Sequence, residues 1–539
     1  MTTGLADSRK TPGVNLAVIL GGAGTSAGSA PKRILLMGNK IGALTGSTPA
    51  FSVTAGTMAN ATPTFCASAD DAGAYAGRGS ELHSMAAGVF AQYPAATVYL
   101  CGVADAAGTA ASLVLTFATS ASAAYTVRVY ACSLILDVPV ASGDTVTTIA
   151  TAVADAINDA DALPFTAQIS AGVLTLTAKN TGPRGNTLTC AFSFITAAGL
   201  EVVVTTSSTS SGAGTTGTLS GGTQVDGEYF FSGGATQDSF AAAIASVATQ
   251  KFDRIVGACI DSTNIDLLAA HLDALALVTS QRRQQGVVGS IGTLSAATTL
   301  ATGRNKSRLQ LAWHYNSRLP IWQVAAQVAA ARLIGDSAAG GLLVGEATDP
   351  AANLCGLELA SARAQNTVAD QPTATEIESA LNNGITPLAP SANRPGYCTV
   401  VRSVTTRSLA NGVPNYAVID TSIVTSCDHV ADDLQAFLAT TYAGFKLAPD
   451  SDDGLPPRTE RVTTPRLIRA KIAERLALYE EAGILVDVEA NLDGRLAGLA
   501  ADLGGAGLER AVAEGEGDED RDEEKGRGGS GEEIGRAHV

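Results

Sequence analysis

Two glycine-rich stretches near the amino terminus are the first places in this chain where chemistry could reside. Residues 24–28 read GTSAG and match the G-x-S-x-G pattern of a nucleophile elbow. Residues 22–24 read GAG and match the start of a dinucleotide-binding fingerprint. Both motifs need a helix directly after the glycines, whereas Pro31 and a second strand-like run follow here, and the third glycine of the fingerprint is absent. We therefore interpret this stretch as a flexible hinge.

Acidic and histidine side chains could bind a metal ion or act in catalysis, but their spacing does not support either role. Residues 450–454 read DSDDG and resemble the start of a calcium loop, yet Arg461 stands where that loop needs a glutamate. Asp261 follows the strand-like run DRIVGACI, where an α/β enzyme could place a catalytic group, but it also suits the N-cap of the next helix. The histidines, which show no ligand spacing, are His83, His271, His314, His429 and His538. The sequence predicts no catalytic residue, no cofactor and no metal site.

Composition narrows the class of protein further. The chain has 539 residues and a formal net charge of −16, which argues against a general nucleic-acid binder because such proteins need a basic surface. No stretch reaches the roughly 20 apolar residues of a membrane-spanning helix, and residues 1–10 lack the apolar core of a signal peptide. Eight scattered cysteines without a C-x-x-C pair favour buried free thiols in a reducing cytoplasm. We therefore expect a cytoplasmic protein without membrane insertion, unless it is assembled into something larger.

The amino-terminal 30 residues are predicted to form an arm. Residues 14–20 read VNLAVIL, a strand-like run that a linker rich in glycine, serine and alanine joins to the next strand. A strand on such a linker can pair with a sheet outside its own domain. The apolar residues of this predicted arm are Val14, Leu16, Val18 and Leu20.

The middle of the chain predicts an α/β domain that a β-rich module interrupts. From 236 to 345, helix and strand patterns alternate, which implies crossover connections and a mostly parallel sheet. Residues 112–194 instead alternate apolar and polar side chains, with one helix-spaced stretch from Val146 to Ile157, and only eight of these 83 residues are charged. The low-complexity residues 205–223 predict a surface loop or linker.

The predicted fold class is therefore a multidomain α/β (α+β) protein, with a discontinuous α/β core, an inserted β-rich domain and a C-terminal α+β domain. The predicted segments are an arm and linker at 1–30, an α/β domain at 31–106 with 224–345, the insertion at 107–223, the C-terminal α+β domain at 346–490 and a disordered tail at 491–539. The tail is rich in glycine and acidic residues, which predicts disorder. Its last seven residues, EIGRAHV, resemble the translation of a common sequencing adapter, so we interpret the tail as an artefact.

A basic helix near the carboxyl terminus is the charge pattern of greatest interest. The run TPRLIRAKIAERLALYEEAG at 464–483 predicts a helix with Pro465 in its first turn. Its basic residues are Arg466, Arg469, Lys471 and Arg475, which follow Arg458 and Arg461. One interpretation is a solvated helix face on which Glu474 and Glu480 relieve the repulsion between the bases. The other is a docking surface for an acidic partner.

Several segments together resemble the contractile tail sheath proteins of Mu-like myophages. The first is YAGRGSELHSMAAGVFAQYP at 75–94, which resembles the family's Gly-Arg-Gly-Ser segment before a helix. The second lies in the insertion and includes VLTLTAKNTGPRGN at 173–186. The third and fourth lie at 346–388 and from 398 onward, ending in the basic helix, and all four occur in family order. Family members continue beyond about residue 490 with a strand-forming arm, where this sequence has its acidic tail.

The resemblance implies a structural role in a virion tail that is assembled in the cytoplasm of a host bacterium. Subunits of this family stack as hexameric rings in a helix around the tail tube, and contraction of the sheath drives the tube through the host envelope. The expected partners are further copies of the chain, the tail tube protein, and the baseplate and tail terminator proteins. The insertion would protrude outward, the arms would add strands to neighbouring subunits, and Arg466, Arg469, Lys471 and Arg475 would face the tube.

Two other classes of protein stay open from the residues alone. A secreted or surface β-rich adhesin-like protein would explain the insertion, which is rich in threonine, serine and alanine, but it would need a signal peptide. An α/β enzyme would use the alternating region 236–345 and would need polar groups that converge at the carboxyl ends of its strands, where Asp261 is the candidate.

Overall fold

The computed structural model describes residues 32–481 except for 133, 197, 200, 204–218, 221–222, 226–227, 278, 343–354, 366–367 and 451–460, and it also describes 484, 485 and 488. The predicted arm, with Val14, Leu16, Val18 and Leu20, and the predicted tail at 491–539 lie outside the described residues.

The first described segment begins with a buried central strand and ends with a second one beside it. Its elements are β1 (Arg33–Asn39), β2 (Leu44–Ser47), β3 (Ala50–Val53), β4 (Thr64–Cys66), α1 (Ala69–Ala76), α2 (Glu81–Gln92) and β5 (Thr97–Val103). Strands β1 and β5 pair in parallel along their full length. Helix α2 begins after Ser80, because the backbone N–H of His83 donates to the Ser80 hydroxyl oxygen at 3.0 Å. Serine suits this position because its hydroxyl oxygen accepts a backbone N–H that has no partner within the helix.

The inserted segment is built from two antiparallel sheets and one long helix. Its elements are β6 (Ala110–Phe117), β7 (Tyr125–Ala131), β8 (Leu134–Val140), α3 (Val146–Asp159), β9 (Phe165–Ser170), β10 (Val173–Thr181), a 3-10 helix (Pro183–Thr187), β11 (Thr189–Thr196), β12 (Glu201–Val203), β13 (Leu219–Ser220), β14 (Thr223–Val225) and β15 (Glu228–Phe230). One sheet has the order β13-β6-β10-β9, and the other has the order β14-β15-β11-β7-β8 with β12 also on β11. The predicted loop at 205–223 is wrong at its end, where β13 pairs with β6.

The next segment alternates helices and strands, as predicted. Its elements are α4 (Ala241–Ser246), β16 (Arg254–Gly257), α5 (Ser262–Ala276), β17 (Gln285–Ser290), α6 (Leu294–Arg304), β18 (Leu309–Trp313) and α7 (Ile321–Leu342). Asp261 caps α5, because the backbone N–H of Asn264 donates to Asp261 Oδ1 at 2.9 Å. The capping interpretation of Asp261 is thus confirmed.

The last described segment extends the sheet and then changes to helices. Its elements are β19 (Leu357–Arg363), a 3-10 helix (Val368–Asp370), α8 (Ala374–Asn382), β20 (Thr386–Pro390), β21 (Tyr397–Val400), β22 (Leu409–Ala410), β23 (Val413–Pro414), α9 (Thr421–Thr441), β24 (Lys446–Leu447), β25 (Val462–Thr463) and α10 (Pro465–Glu481). Strands β22 and β23 form a hairpin around Asn411 and Gly412, which both have positive φ, as this dipeptide predicts.

A nine-stranded sheet in the order β19-β21-β20-β18-β17-β16-β1-β5-β4 organises the α/β part of the molecule. The six strands from β20 to β5 are parallel neighbours, and antiparallel pairs close both ends of the sheet. This confirms the predicted mostly parallel sheet and the multidomain α/β (α+β) class. The predicted domain boundaries stay predictions, although the pairing of β20 with β18 carries the sheet across residue 346.

Helices cover both faces of this sheet. In β17, a Cβ atom on Gly286 would lie 2.7 Å from Leu272 of α5, whereas one on Gly289 would lie 2.6 Å from Ile321 of α7. Residues three apart in a strand point to opposite faces, so α5 and α7 lie on opposite sides. Helix α7 also packs on α2, where the indole N–H of Trp322 donates to the Ser84 hydroxyl at 2.9 Å.

The terminal strand β19 has its outer edge occupied by side-chain amides. Gln92 of α2 donates to the carbonyl of Glu358 at 3.0 Å and accepts from the backbone N–H of Ala360 at 2.7 Å. Gln327 of α7 accepts from the next two backbone N–H groups of the strand, at 3.3 and 3.2 Å. Two helices therefore satisfy the edge of the strand from outside the sheet.

Candidate interaction surfaces

Helices α9 and α10 form a separate packing unit at the carboxyl-terminal end of the described chain, which we call the α9–α10 unit. Its small apolar core consists of Val430, Leu434, Ile472, Leu476, Tyr479 and Val488. These side chains lie in a cluster distinct from the large core that fills the sheets. The unit therefore has its own packing and joins the rest of the molecule through other contacts.

Ion pairs join this unit to the amino-terminal ends of the parallel strands. Arg308, directly before β18, makes two hydrogen bonds of 2.7 Å with Asp428 of α9. Arg283, two residues before β17, donates to Asp432 at 2.8 Å, and Lys251 donates to the same carboxylate. The attachment between α9 and the sheet is therefore strongly polar.

The basic residues of α10 divide into an exposed group and one internal residue. Arg466, Arg469 and Lys471 have exposed positions on the helix, and the Lys471 ammonium lies 2.6 Å from a Glu474 carboxylate oxygen. Arg475 is partly buried and makes a two-pronged pair with Asp433 of α9, at 2.8 and 2.9 Å. The structure thus places Arg475 against α9, while the other three bases lie on the outer surface of the helix.

Apolar side chains are exposed beside this basic face. Phe445 is 40% exposed, Leu447 in β24 is 62% exposed, and Leu467 in the first turn of α10 is 37% exposed. Strand β24 pairs with β25 in a two-stranded parallel ladder. Tyr442 packs edge-on against Phe445 and lies close enough to Lys471 for an electrostatic interaction. This carboxyl-terminal region therefore exposes basic, aromatic and aliphatic side chains, and Tyr442 lies near both Phe445 and Lys471.

A buried ionic cluster joins the inserted segment to the α/β sheet. Arg184 lies in the 3-10 helix after β10 and donates to Glu81 at the start of α2 at 2.7 Å. The same guanidinium donates to Asp238, which precedes α4. The three side chains are between 1% and 4% exposed. We call Arg184, Glu81, Asp238, Asn39 and Asn180, together with the more exposed Asp105 beside them, the junction cluster.

The amides of the junction cluster connect its carboxylates. The Asn39 backbone N–H donates to Glu81 at 3.0 Å, and the Asn39 side-chain amide donates to Asp238 at 2.8 Å and to Asp105. Asn180 of β10 donates to Asp105 at 3.2 Å. Sequence reasoning missed this site; its signal was Arg184, one of few charged residues in a charge-poor module.

Burial changes the protonation behaviour of the junction cluster. Burial raises the pKa of the Glu81 carboxyl, although the Arg184 guanidinium opposes that change. Burial also raises the pKa of Asp105 to about 6, and the neighbouring Glu81 and Asp238 add to the rise. Nearby, burial and the Arg78 and Lys179 charges lower the pKa of His83 to about 4. The His83 ring accepts the backbone N–H of Gly79 at 3.0 Å, so it holds a turn as a neutral group.

Replacing Asp105 by asparagine is expected to raise the free energy of unfolding at pH 7.5 by about 1 kcal/mol. The folded protein raises the pKa of Asp105 to about 6 from the ordinary value of 3.8. Its stabilising contribution is therefore complete below about pH 4 and is lost as the pH rises through about 6. The expected gain is modest because Asp105 is more than a third exposed and water screens its charge. Urea unfolding at pH 5 and pH 7.5 measures the change, with the exposed Asp155→Asn variant as control. An unchanged pH dependence in Asp105→Asn would contradict this assignment.

The remaining candidates from the sequence are the possible metal ligands, the cysteines and any membrane-spanning helix. Among the described residues, no group of three or more histidine, cysteine, aspartate or glutamate side chains could hold a metal ion. Asp450 accepts the backbone N–H of Arg466 at 3.2 Å, while the rest of the calcium-like run lies outside the described part of the chain. Six cysteines are buried as predicted, but Cys355 and Cys427 are exposed. No helix in the described ranges is both long and apolar enough to span a membrane.

Comparison with known proteins finds similarity among solved structures. No protein-family model and no curated protein matches the chain. A sheath tail protein from Desulfitobacterium hafniense is similar with a TM-score of 0.41 and 12% identity, covering 84% of this chain and 86% of that one. A sheath tail protein from Listeria innocua is similar with a TM-score of 0.39 and 12% identity, covering 85% of this chain and 86% of that one.

Proposed function

We propose that this chain is a structural subunit of a contractile phage tail sheath. In this role it polymerises as a helical stack of hexameric rings around the tail tube, and contraction drives the tube through the host envelope. Its proposed partners are further copies of itself, the tube protein, and the baseplate and tail terminator proteins of the virion tail. The observation that carries the proposal is the exposed basic and apolar surface of the α9–α10 unit.

The composition of that surface suits a protein partner with acidic groups. Arg466, Arg469 and Lys471 are exposed in a chain that is otherwise strongly acidic, so they offer a local positive field to such a partner. Phe445 and Leu447 beside them provide apolar area that a partner could bury. Arg475 holds α10 onto α9, so we assign it to positioning the basic face and no longer to direct contact with the tube.

Two of the segments that resemble sheath proteins contact each other in the structure, which supports interpreting them as parts of one sheath-like fold. Glu81 belongs to the segment at 75–94, and Arg184 belongs to the segment at 173–186. These two side chains are 103 positions apart in sequence and form a buried ion pair. Two of the resembling segments therefore meet at the junction that fixes the inserted domain, which we propose protrudes outward.

Self-assembly is proposed to use strand addition by the arm. The arm would supply a strand to a neighbouring subunit through Val14, Leu16, Val18 and Leu20. A two-stranded ladder such as β24–β25 could accept this segment as a third strand. A head-to-tail contact that does not close on itself generates a helical filament, which is the architecture proposed here.

The triple variant Arg466→Glu, Arg469→Glu and Lys471→Glu is expected to reduce co-assembly with the tube protein by about tenfold or more, because it reverses three charges at the proposed contact. Negative-stain electron microscopy and sedimentation of mixtures with tube protein measure the change. Its melting temperature should stay within a few degrees of the parent, since the three side chains are exposed. Arg475→Ala is the control, and it should instead lower stability. Normal co-assembly of a folded triple variant would contradict the tube-facing role, and the absence of cylinders from the parent chain with its tube protein would contradict the sheath proposal.

A further inference from the structure

Two arginines converge on one tyrosine near the end of the nine-stranded sheet. The guanidinium carbon of Arg363 lies 4.1 Å from the ring centroid of Tyr397, and that of Arg394 lies 3.4 Å from the same centroid. Both distances are within the range of cation–π stacking. Two like charges are thus held close together by a single aromatic ring.

The backbone around these residues is well fixed. Arg363 of β19 stands directly opposite Tyr397 of β21 in the antiparallel pairing. Arg394 lies in the tight connection before β21, where its backbone N–H donates to the Ser391 hydroxyl at 3.0 Å and its carbonyl accepts from the Tyr397 N–H at 3.1 Å. Gly396 completes this connection with a φ of 80°. The arginine pair is therefore presented in one defined geometry.

Within the described part of the chain, neither arginine of this pair makes an ion pair, although the chain carries 51 acidic residues against 35 lysines and arginines. Arginine and tyrosine held in fixed positions are the residue types that dominate the energy of protein interfaces. An arginine that stacks on a ring still has N–H groups at its edge for a carboxylate, although Arg394 Nη1 already donates to the Ala360 carbonyl at 3.3 Å. The pair is thus suited to binding two carboxylates of a protein partner.

Helix α3 of the inserted domain carries the complementary arrangement. Asp155 and Asp159 are both exposed and are four residues apart, so their carboxylates lie one above the other on a single face. In the ranges that the structure describes, neither forms an ion pair with a lysine or an arginine, and like charges four residues apart on a helix repel each other. An acidic pair and a basic pair, neither of them in an ion pair among the described residues, therefore lie in different parts of the same chain.

We propose that Arg363 and Arg394 of one copy bind Asp155 and Asp159 of a second copy, forming a head-to-tail contact. The contact joins the end of the sheet in one subunit to the inserted domain in the next. Because the two patches differ, the contact does not close a dimer and leaves a free patch at each end. This inference rests on the self-assembly proposed above and assigns residues to one of its contacts.

Charge reversal and its compensation test this contact. Arg363→Glu with Arg394→Glu is expected to lower the assembled fraction in sedimentation about tenfold at low salt, and Asp155→Lys with Asp159→Lys is expected to do the same. The chain with all four substitutions should recover assembly, because it restores both patches with opposite signs. Circular dichroism and thermal unfolding establish that each variant is folded.

A matched control separates pairing from net charge. Arg363→Glu and Arg394→Glu combined with Glu378→Lys and Glu481→Lys has the same total charge as the four-fold variant, but places the new lysines at exposed sites elsewhere. This control should remain deficient in assembly. Equal recovery in both four-fold variants, or normal assembly of the arginine variant, overturns the proposed contact while leaving the sheath proposal intact. Failure of the parent chain to assemble overturns the self-assembly on which the contact depends.

Discussion

Replacing Arg184 by alanine is expected to lower the free energy of unfolding by about 3–5 kcal/mol. The guanidinium is 1% exposed and pairs with Glu81 and Asp238, so its removal leaves two buried carboxylates without their cation. Both carboxylates are almost fully buried, at 4% and 1% exposed, so water does not readily replace the lost guanidinium. Urea unfolding measures the overall loss, and hydrogen exchange should show it first in β10 and in the start of α2.

Two further variants test whether the loss of stability arises from leaving buried charges unpaired. Arg128 also forms an ion pair in the inserted domain, with Asp137 at 2.7 Å, but its side chain is 27% exposed. Arg128→Ala should therefore cost less than about 1 kcal/mol. The combined variant Arg184→Met, Glu81→Gln and Asp238→Asn should recover much of the lost stability, because no buried charge is left unpaired. Equal losses in Arg184→Ala and Arg128→Ala would show that the junction cluster does not hold the domains together.

Replacing Asp428 by asparagine is expected to destabilise the attachment of the α9–α10 unit by about 2 kcal/mol. Its partner Arg308 is 16% exposed, and in place of two hydrogen bonds of 2.7 Å to a charged acceptor it can keep at most one, to a neutral amide oxygen. The unit has its own apolar core, so we expect it to loosen from the sheet while α9 and α10 stay packed together. Hydrogen exchange should therefore increase at β18 and the facing side of α9 more than within α10.

The pair between Arg402 and Asp420 provides a control with the same geometry. It also has two hydrogen bonds of 2.7 Å, but its side chains are 47% and 24% exposed against 16% and 14% for Arg308 and Asp428. Asp420→Asn should cost less than about 1 kcal/mol, since water replaces the lost contact. A similar effect of the two substitutions would mean that burial does not set the strength of the attachment.

Local chemistry in the sequence predicts much of the fold. Asp261 was identifiable as a cap because a cap needs only an oxygen acceptor placed directly before the first turn of a helix. Asn411 and Gly412 specified a hairpin because few residues adopt positive φ at both central positions. The alternation of helix and strand patterns likewise predicted the parallel sheet.

The contacts that join domains could not be read in this way. Arg184 meets Glu81 and Asp238 across 103 and 54 positions of sequence, and no local pattern links them. Arg475 was grouped with the basic face because it follows Arg466, Arg469 and Lys471 closely in the same helix. Its partner, Asp433, lies 42 positions away on another helix. Which charges face solvent depends on tertiary packing, which helix periodicity alone does not determine for α10.

The amides of Gln92 and Gln327 along β19 have a consequence for a protein that would exist in many adjacent copies. A bare edge strand invites any neighbouring strand to pair with it, which leads to disordered aggregation. Here each helix lends one side chain to the backbone groups at that edge, so an incoming strand would have to displace hydrogen bonds already made. Strand addition is therefore disfavoured at this end of the large sheet, and assembly by strand addition would have to use other strand edges.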